Sequence, residues 1–207
     1  MRNVYNAVFG TIISIIGKFT IIGRENIPAT GAGIIIINHM HWLDPGLVLP
    51  CTDRPIVPMT KVEAFEWPSR ILAAPYGAIP VHRGEVDLQA IRAASEVLSE
   101  GGLVLISPEG TRSKSGKLIE AQEGLAFLAT RNDVVIIPIG LVGTIEASKH
   151  LRKLQRAAFT VNIGEPFKLG NPDGSKVTRE QLHAKTDYAM RRLAALLPVE
   201  MRGVYGN

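Results

Sequence analysis

The sequence predicts an α/β fold: a single domain with a mostly parallel central sheet flanked by helices, plus a short apolar N-terminal helix. Three observations carry that reading. The 207 residues, 46% of them hydrophobic, suit one domain with a substantial core. Several short runs are apolar without alternation, Ile34-Ile35-Ile36-Ile37 and Leu103-Val104-Leu105-Ile106 among them. Such runs are what strands need when both faces of a sheet are covered. Segments of helical period lie between them, and strands alternating with helices argue for a parallel sheet. The expected division is residues 1–18 as a membrane-associating apolar helix and 19–207 as the α/β domain.

Taken in order, Val4 to Gly17 is apolar but shorter than the roughly 20 residues that span a bilayer, and no small-residue cleavage site follows it. Tyr5, Phe9, Ile12 and Ile16 fall at helix-compatible spacing, which suits a helix lying in a membrane surface or packed on the core. Phe19 to Ile22 reads as a strand closed by Gly23 and the Asn26-Ile27-Pro28 turn. After the isoleucine strand, Asp44-Pro45 marks a helix start, since Asp caps orphan N–H groups and proline fits the first helical position. Pro55 to Met59 and Gly77 to Val81 predict two more short strands, with Lys61 and Arg83 at their exits. Leu88, Ile91, Ala94 and Leu98 mark a helix from Asp87 to Glu100, stopped by Gly101. A helix over 121–130, a buried strand over 134–139 and a strand over 159–163 follow. Thr178-Arg179-Glu180-Gln181 is a capping box opening a helix that runs to about Leu197.

A net charge of +4 and a pI near 9.3 favour anionic partners. With aromatic content of only 6% the chain offers no stacking platform for bases, so nucleic acid is not expected. Cys51 is the one cysteine, which rules out an internal disulfide, and it reads as a small core residue. Trp67 reads as a packing or interface residue, and Lys149, His150, Arg152, Lys153 and Arg156 as a cationic surface segment.

The polar groups concentrate where ligands gather in such folds, at the carboxyl ends of strands. Asn38-His39-Met40-His41-Trp42-Leu43-Asp44-Pro45 follows the isoleucine strand directly. On a regular helix His39 and Asp44 would diverge by about 140°. In a turn the carboxylate can fold back to fix the ring tautomer and support the imidazolium as the other nitrogen takes a substrate proton. The same pair would equally serve to tie down the turn. Lys61, Arg83 and the exit Ser107-Pro108-Glu109-Gly110-Thr111-Arg112-Ser113 supply further charge. A histidine base with arginines to clamp a phosphate implies acyl or phosphoryl transfer to a hydroxyl on a phosphate-bearing acceptor. No serine or cysteine nucleophile is supplied, which favours direct transfer.

Four segments in order, Asn38-His39-x4-Asp44, Gly77-x-Ile79-Pro80-Val81-x-Arg83, Pro108 to Ser113 and Ile137-Pro138-Ile139, resemble the four blocks of the glycerolipid acyltransferases, in particular the lysophosphatidic acid acyltransferases. The likeness covers residues 38–139 and is loose in the flanks. It implies His39 as general base for the acceptor hydroxyl and Asp44 as its orienting partner. It implies Arg83, Glu109, Gly110, Thr111 and Arg112 around the glycerol phosphate, with Lys61 matching a lysine often found before the second block. The expected reaction moves a fatty acyl chain from acyl-CoA or acyl carrier protein onto lysophosphatidic acid, giving phosphatidic acid. No metal is expected, and no cofactor beyond the thioester co-substrate. The expected setting is a membrane lipid surface, on the cytoplasmic face, held peripherally or monotopically. Three departures stand out: His41 where a serine is common, Ser107 where an aromatic residue is common, and an N-terminus shorter than the paired membrane helices of some relatives.

The alternatives are another lysophospholipid or glycerol phosphate as acceptor, a non-catalytic lipid-binding membrane protein, and a metal hydrolase built on His39-x-His41-x2-Asp44. The last needs further ligands, and His82, His150 and His183 form no comparable cluster.

Overall fold

The computed structural model describes residues 11, 17–65, 76–82, 87–152, 156–170 and 177–206. The sheet is built around β2 (Gly33–Ile37), whose five residues are all buried. Alternation along the strand sends Ile34 and Ile36 into one apolar cluster and Ile35 and Ile37 into another. Both faces are therefore covered, the physical reason the run shows no polar alternation. Burying each such side chain is worth about 1.5–3 kcal/mol.

The other strands are β1 (Gly17–Ile22), β3 (Ile56–Lys61), β4 (Ile79–Val81), β5 (Leu103–Ile106), β6 (Val135–Val142) and β7 (Ala157–Ile163). The seven lie in the order β1-β7-β6-β2-β5-β3-β4. From β6 to β4 all neighbours are parallel, whereas β7 runs antiparallel to β6 and carries β1 parallel to itself. The carboxyl ends of β2, β3, β4, β5 and β6 thus share one edge, and those of β1 and β7 point the other way.

The helices are α1 (Asp44–Val48), α2 (Leu88–Ser99), α3 (Gly124–Asn132), α4 (Thr144–Arg152) and α5 (Arg179–Ala194). One face of the sheet is covered by α2, α3 and α5, through Ala94, Leu98, Leu125, Leu128, Met190 and Leu193. The other is covered by α1 and α4, through Leu47, Val48 and Ala147. The capping box at Thr178 is present, with Thr178 Oγ1 accepting from Gln181 N and Gln181 Oε1 from Thr178 N. Cys51 is buried, bonded to the Leu47 carbonyl at 3.4 Å, and burial pushes its thiol up to about 12.

The differences from expectation lie at element ends and in one unforeseen helix. β1 opens at Gly17, so Gly17 and Lys18 belong to the sheet instead of the N-terminal segment; apart from these and Thr11, that segment lies outside the described residues. Trp67 lies outside them too. α3 begins three residues later than 121 because Ala121 N donates to Tyr205 Oη and Gln122 N to the Pro108 carbonyl, which ties these residues to the β5 exit loop and the C-terminal segment. β6 continues to Val142 because it exchanges β2 for β7 as its partner near Ile139. Part of the cationic segment proves to be helical, as α4. Among the described residues no helix is long and apolar enough to cross a membrane.

Candidate active site

Where β2 ends, Asn38 replaces it in the ladder. The strand pairs with β6 as far as Ile37 opposite Ile139. Next, the fully buried Asn38 side chain accepts from Leu141 N at 2.7 Å and donates to the Leu141 carbonyl at 2.9 Å. The amide imitates a peptide group, so β6 keeps its hydrogen bonds while the chain after Asn38 turns away. His39 is the first residue released.

The turn that follows is organised on a single oxygen. Asp44 Oδ2 accepts from Met40 N and His41 N, each at 2.6 Å, and faces His39 Nδ1 at 3.2 Å. Asp44 is fully buried and the His39 side chain 18% exposed. Each such charge-assisted bond from a backbone donor is worth about 1.5–3 kcal/mol. An anion opposite Nδ1 fixes the proton there, leaving the Nε2 lone pair as the base. Asp44 Oδ1 is buried with no hydrogen-bond partner among the described residues.

Glu109, expected beside the glycerol phosphate, turns its two oxygens onto backbone instead. Oε1 accepts from His39 N at 2.9 Å and Oε2 from Ile119 N at 3.1 Å. His39 is held on its other side too, since Ser113 N donates to its carbonyl at 2.8 Å. The imidazole is therefore carried on a peptide clamped from the β5 exit loop. Burial pushes the Glu109 carboxyl up to about 7, against its two backbone donors, and the neighbouring Asp44 charge adds to the rise. Gly110 follows with φ +65°, its N–H on the Ser107 carbonyl at 3.0 Å, a conformation that strains other residues.

Thr111 and Arg112 are exposed on the same loop, close enough to the turn that the Arg112 charge acts on His41. His41 lies below its ordinary pKa, first through burial and then through Arg112 and His39, with Asp44 opposing. Its Nδ1 accepts from Leu43 N at 3.4 Å, so the ring is tied into the turn. Lys61 ends β3, two strands from β2 across β5, roughly 10 Å away by strand spacing. His39, Asp44, Lys61, Glu109, Gly110, Thr111 and Arg112 thus meet at one sheet edge, and Arg83 lies outside the described residues. Among the described residues, no three His, Cys, Asp or Glu side chains gather as a metal site would require.

Two roles escaped the sequence reading. Asn38 stood in the first block with no task assigned to it, although a polar residue ending a buried strand is itself a signal, because a buried amide has to find partners. Tyr205, whose hydroxyl holds Ala121 N, carries no sequence signal at this distance.

A mostly parallel sheet with a carboxylate-facing histidine and an exposed arginine at its carboxyl edge is an α/β arrangement whose chemistry suits proton transfer beside an anionic group. The family model described as Acyltransferase matches residues 18–142, more than half of the chain. The chain belongs to the acyltransferase family. Among relatives, a Chlamydomonas reinhardtii protein named 1-acyl-sn-glycerol-3-phosphate acyltransferase is 32% identical over 134 residues, 61% of this chain and 39% of that protein. The similarly named Cocos nucifera protein is 27% identical over 191 residues, 88% of this chain and 61% of that protein. A Bacillus subtilis protein of the same name is 26% identical over 189 residues, covering 89% of this chain and 91% of its own. The chain therefore spans between 39% and 61% of the length of the algal and coconut relatives. The crystal structure of the 1-acyl-sn-glycerophosphate (LPA) acyltransferase from Thermotoga maritima shares the fold, with a TM-score of 0.66 at 22% identity over 92% of this chain and 77% of that one.

Proposed function

We propose that the chain transfers a fatty acyl group from a thioester, acyl-CoA or acyl carrier protein, to the free hydroxyl of lysophosphatidic acid, forming phosphatidic acid. The observation that carries this reading is the His39–Asp44 pair, its ring held at Nδ1 by a buried carboxylate at 3.2 Å. The names of the relatives supply the acceptor. His39 Nε2 takes the hydroxyl proton as the oxygen bonds to the thioester carbonyl carbon. Asp44 stabilises the imidazolium that results. The tetrahedral oxyanion collapses, the C–S bond breaks with its electron pair on sulfur, and Nε2–H returns the proton to the leaving thiolate. Ester and free thiol are released and the imidazole is neutral again.

In this scheme Arg112, Lys61 and Arg83 bind the acceptor phosphate, with Thr111 and the Gly110 turn beside it. Glu109 holds the His39 peptide in place, because a carboxylate facing backbone N–H groups gives phosphate no donor. The reaction takes place at a lipid surface on the cytoplasmic face of a membrane, a setting supported by the apolar stretch 4–17 and the net charge of +4. The test is thiol release from acyl-CoA or acyl carrier protein across a set of acceptors: lysophosphatidic acid, other lysophospholipids and glycerol 3-phosphate. Release that requires lysophosphatidic acid supports the reading. Equal turnover of glycerol 3-phosphate would reassign the acceptor, and undiminished release by His39→Ala would remove the base.

A further inference from the structure

We infer that the C-terminal turn, residues 198–205, is a positioning element of the active site: it sets the β5 exit loop, and through that loop the Glu109 carboxyl that carries the His39 peptide. The inference rests on the acyl-transfer reading only for the role of His39. Between β5 and α3, residues 107–123 form neither helix nor strand, yet Ile119 N has to meet Glu109 Oε2 for the clamp on His39 to close. A connection this long does not hold one N–H in place by itself. Its position is fixed from outside the loop.

Upstream of Ile119, Leu118 is bonded to the C-terminal turn through both backbone groups. Its N–H donates to the Met201 carbonyl at 2.9 Å, and its carbonyl accepts from Val204 N at 3.4 Å. Downstream, Ala121 N donates to Tyr205 Oη at 3.0 Å. Leu118 and Tyr205 are buried in the same apolar cluster, which keeps loop and turn together. The turn thus grips the loop on either side of the residue whose N–H meets Glu109. Gly203 shows how close the approach is: its φ is +53°, and a Cβ there would strike the Leu118 carbonyl.

The turn is anchored in its own right. Asn162 Nδ2 of β7 donates to the Leu196 carbonyl at 2.9 Å, and Leu196 lies so near Gly140 of β6 that a Cβ there would come within 2.9 Å of the Leu196 Cβ. Arg202 Nε donates to the Leu197 carbonyl at 2.9 Å and folds the turn back. An unbroken run of contacts therefore leads from β6 and β7 through the turn and the loop to His39 N. The turn need not touch substrate to matter, since misplacing a reacting group by about 1 Å can slow a reaction by about a hundredfold.

Two variants loosen the grip by different routes. Tyr205→Phe keeps the buried ring and removes the oxygen that Ala121 N requires, and Gly203→Ala forces the exposed turn off Leu118 while leaving Tyr205 in place. Amide hydrogen exchange, read residue by residue by NMR, needs no substrate. In both variants the protection of the Ile119 and His39 amides should fall about tenfold further than that of Ile34 to Ile36 in β2. A uniform fall would reduce the turn to global stability, and unchanged protection would show a loop that holds itself; either overturns the inference. In turnover, kcat for thiol release should drop about tenfold with the KM for the thioester within about twofold of the parent. Asn132→Ala removes bonds to the Leu128 carbonyl and Ser95 Oγ at the end of α3, just ahead of the start of β6 and so at the opposite edge of the sheet. It should lower stability and keep kcat within about twofold, and an equal loss of kcat there would overturn the positioning role. Glu109→Ala and Tyr205→Phe/Glu109→Ala should agree in kcat within about twofold, because the turn acts through Glu109, whereas losses that multiply would show that it does not. A parent chain that releases no thiol with any acceptor refutes the acyl-transfer reading, and amide exchange still decides the coupling.

Discussion

Two His-x4-Asp pairs occur in this chain, each after a parallel strand and before a helix, and their surroundings differ. His39 and Asp44 follow β2, at 3.2 Å, with the carboxylate fully buried. His82 and Asp87 follow β4, at 2.8 Å, with the imidazole 60% exposed. In both, one carboxylate oxygen meets the ring Nδ1 and a backbone N–H as well. The contacts beyond the pair separate them. The His39 peptide is gripped by Glu109 and Ser113 from a distant loop, whereas His82 N donates to its own Asp87 and the other oxygen caps α2 at Ala90 N. A central strand covered on both faces makes its exit rigid and dry, and a short strand at the sheet's edge cannot. Spacing produces the pair, and its place in the sheet decides whether the pair can do chemistry.

The strongest way to break the comparison is to remove each ring in turn. His39→Ala should lower thiol release by about a thousandfold, the scale of a lost general base, with the melting temperature little changed. His82→Ala should leave kcat within about twofold. A loss in His82→Ala comparable to that in His39→Ala would make the two pairs equivalent and void the distinction. Asp44→Asn should follow His39→Ala in activity and in addition destabilise the fold by about 2–3 kcal/mol, read by urea unfolding, because the oxygen that accepts from Met40 N and His41 N loses its charge and the amide nitrogen is buried without a partner.

The clamp on His39 can be tested through pH. Glu109 is held up at about 7, above its ordinary carboxyl value, so between roughly pH 4.5 and 7 the folded state binds more protons than the unfolded state. Its contribution to stability is therefore present at low pH, is lost as pH rises through that window, and is gone above about 7. Glu109→Gln has no such titration. The stability of the variant relative to the parent should rise by on the order of 3 kcal/mol from pH 4.5 to 7, measured by urea unfolding at each pH. His41, displaced downward, titrates with the opposite sign but is common to both proteins and cancels in the difference. A flat difference curve would show that Glu109 is ionised throughout.

These residues also mark how far the sequence can be read. The buried strands were legible because a strand covered on both faces must be apolar at every position, as Ile34 to Ile37 are. The His39–Asp44 contact was legible because it is local. The roles of Asn38 and Glu109 were not, because each is completed by backbone 103 or 70 positions away, a pairing that only the sheet order creates. α4 escaped for another reason: the cations Lys149, His150 and Arg152 made its second half read as a solvated surface stretch, and Ala147 is a small contribution to the core.

The exposed pair should show the smallest effect, and of a different kind. Asp87 Oδ1 accepts from Ala90 N at 2.9 Å and so caps α2. That bond, followed by those from His82, holds its carboxyl down at about 2. A depressed carboxyl stabilises above its unfolded value near 4 and loses that contribution as pH falls toward 2. Asp87→Ala should therefore cost about 1 kcal/mol at neutral pH, the usual worth of an N-cap, and the difference from the parent should shrink on acidification through that window. Asp87→Ser, which keeps a capping oxygen but gives His82 no charge, should recover most of the stability. Recovery of this kind identifies the second pair as a helix cap that an imidazole happens to join. If Asp87→Ser instead lowered kcat with stability restored, the charge on His82 would be serving the reaction, and the two pairs would be closer in function than their burial implies.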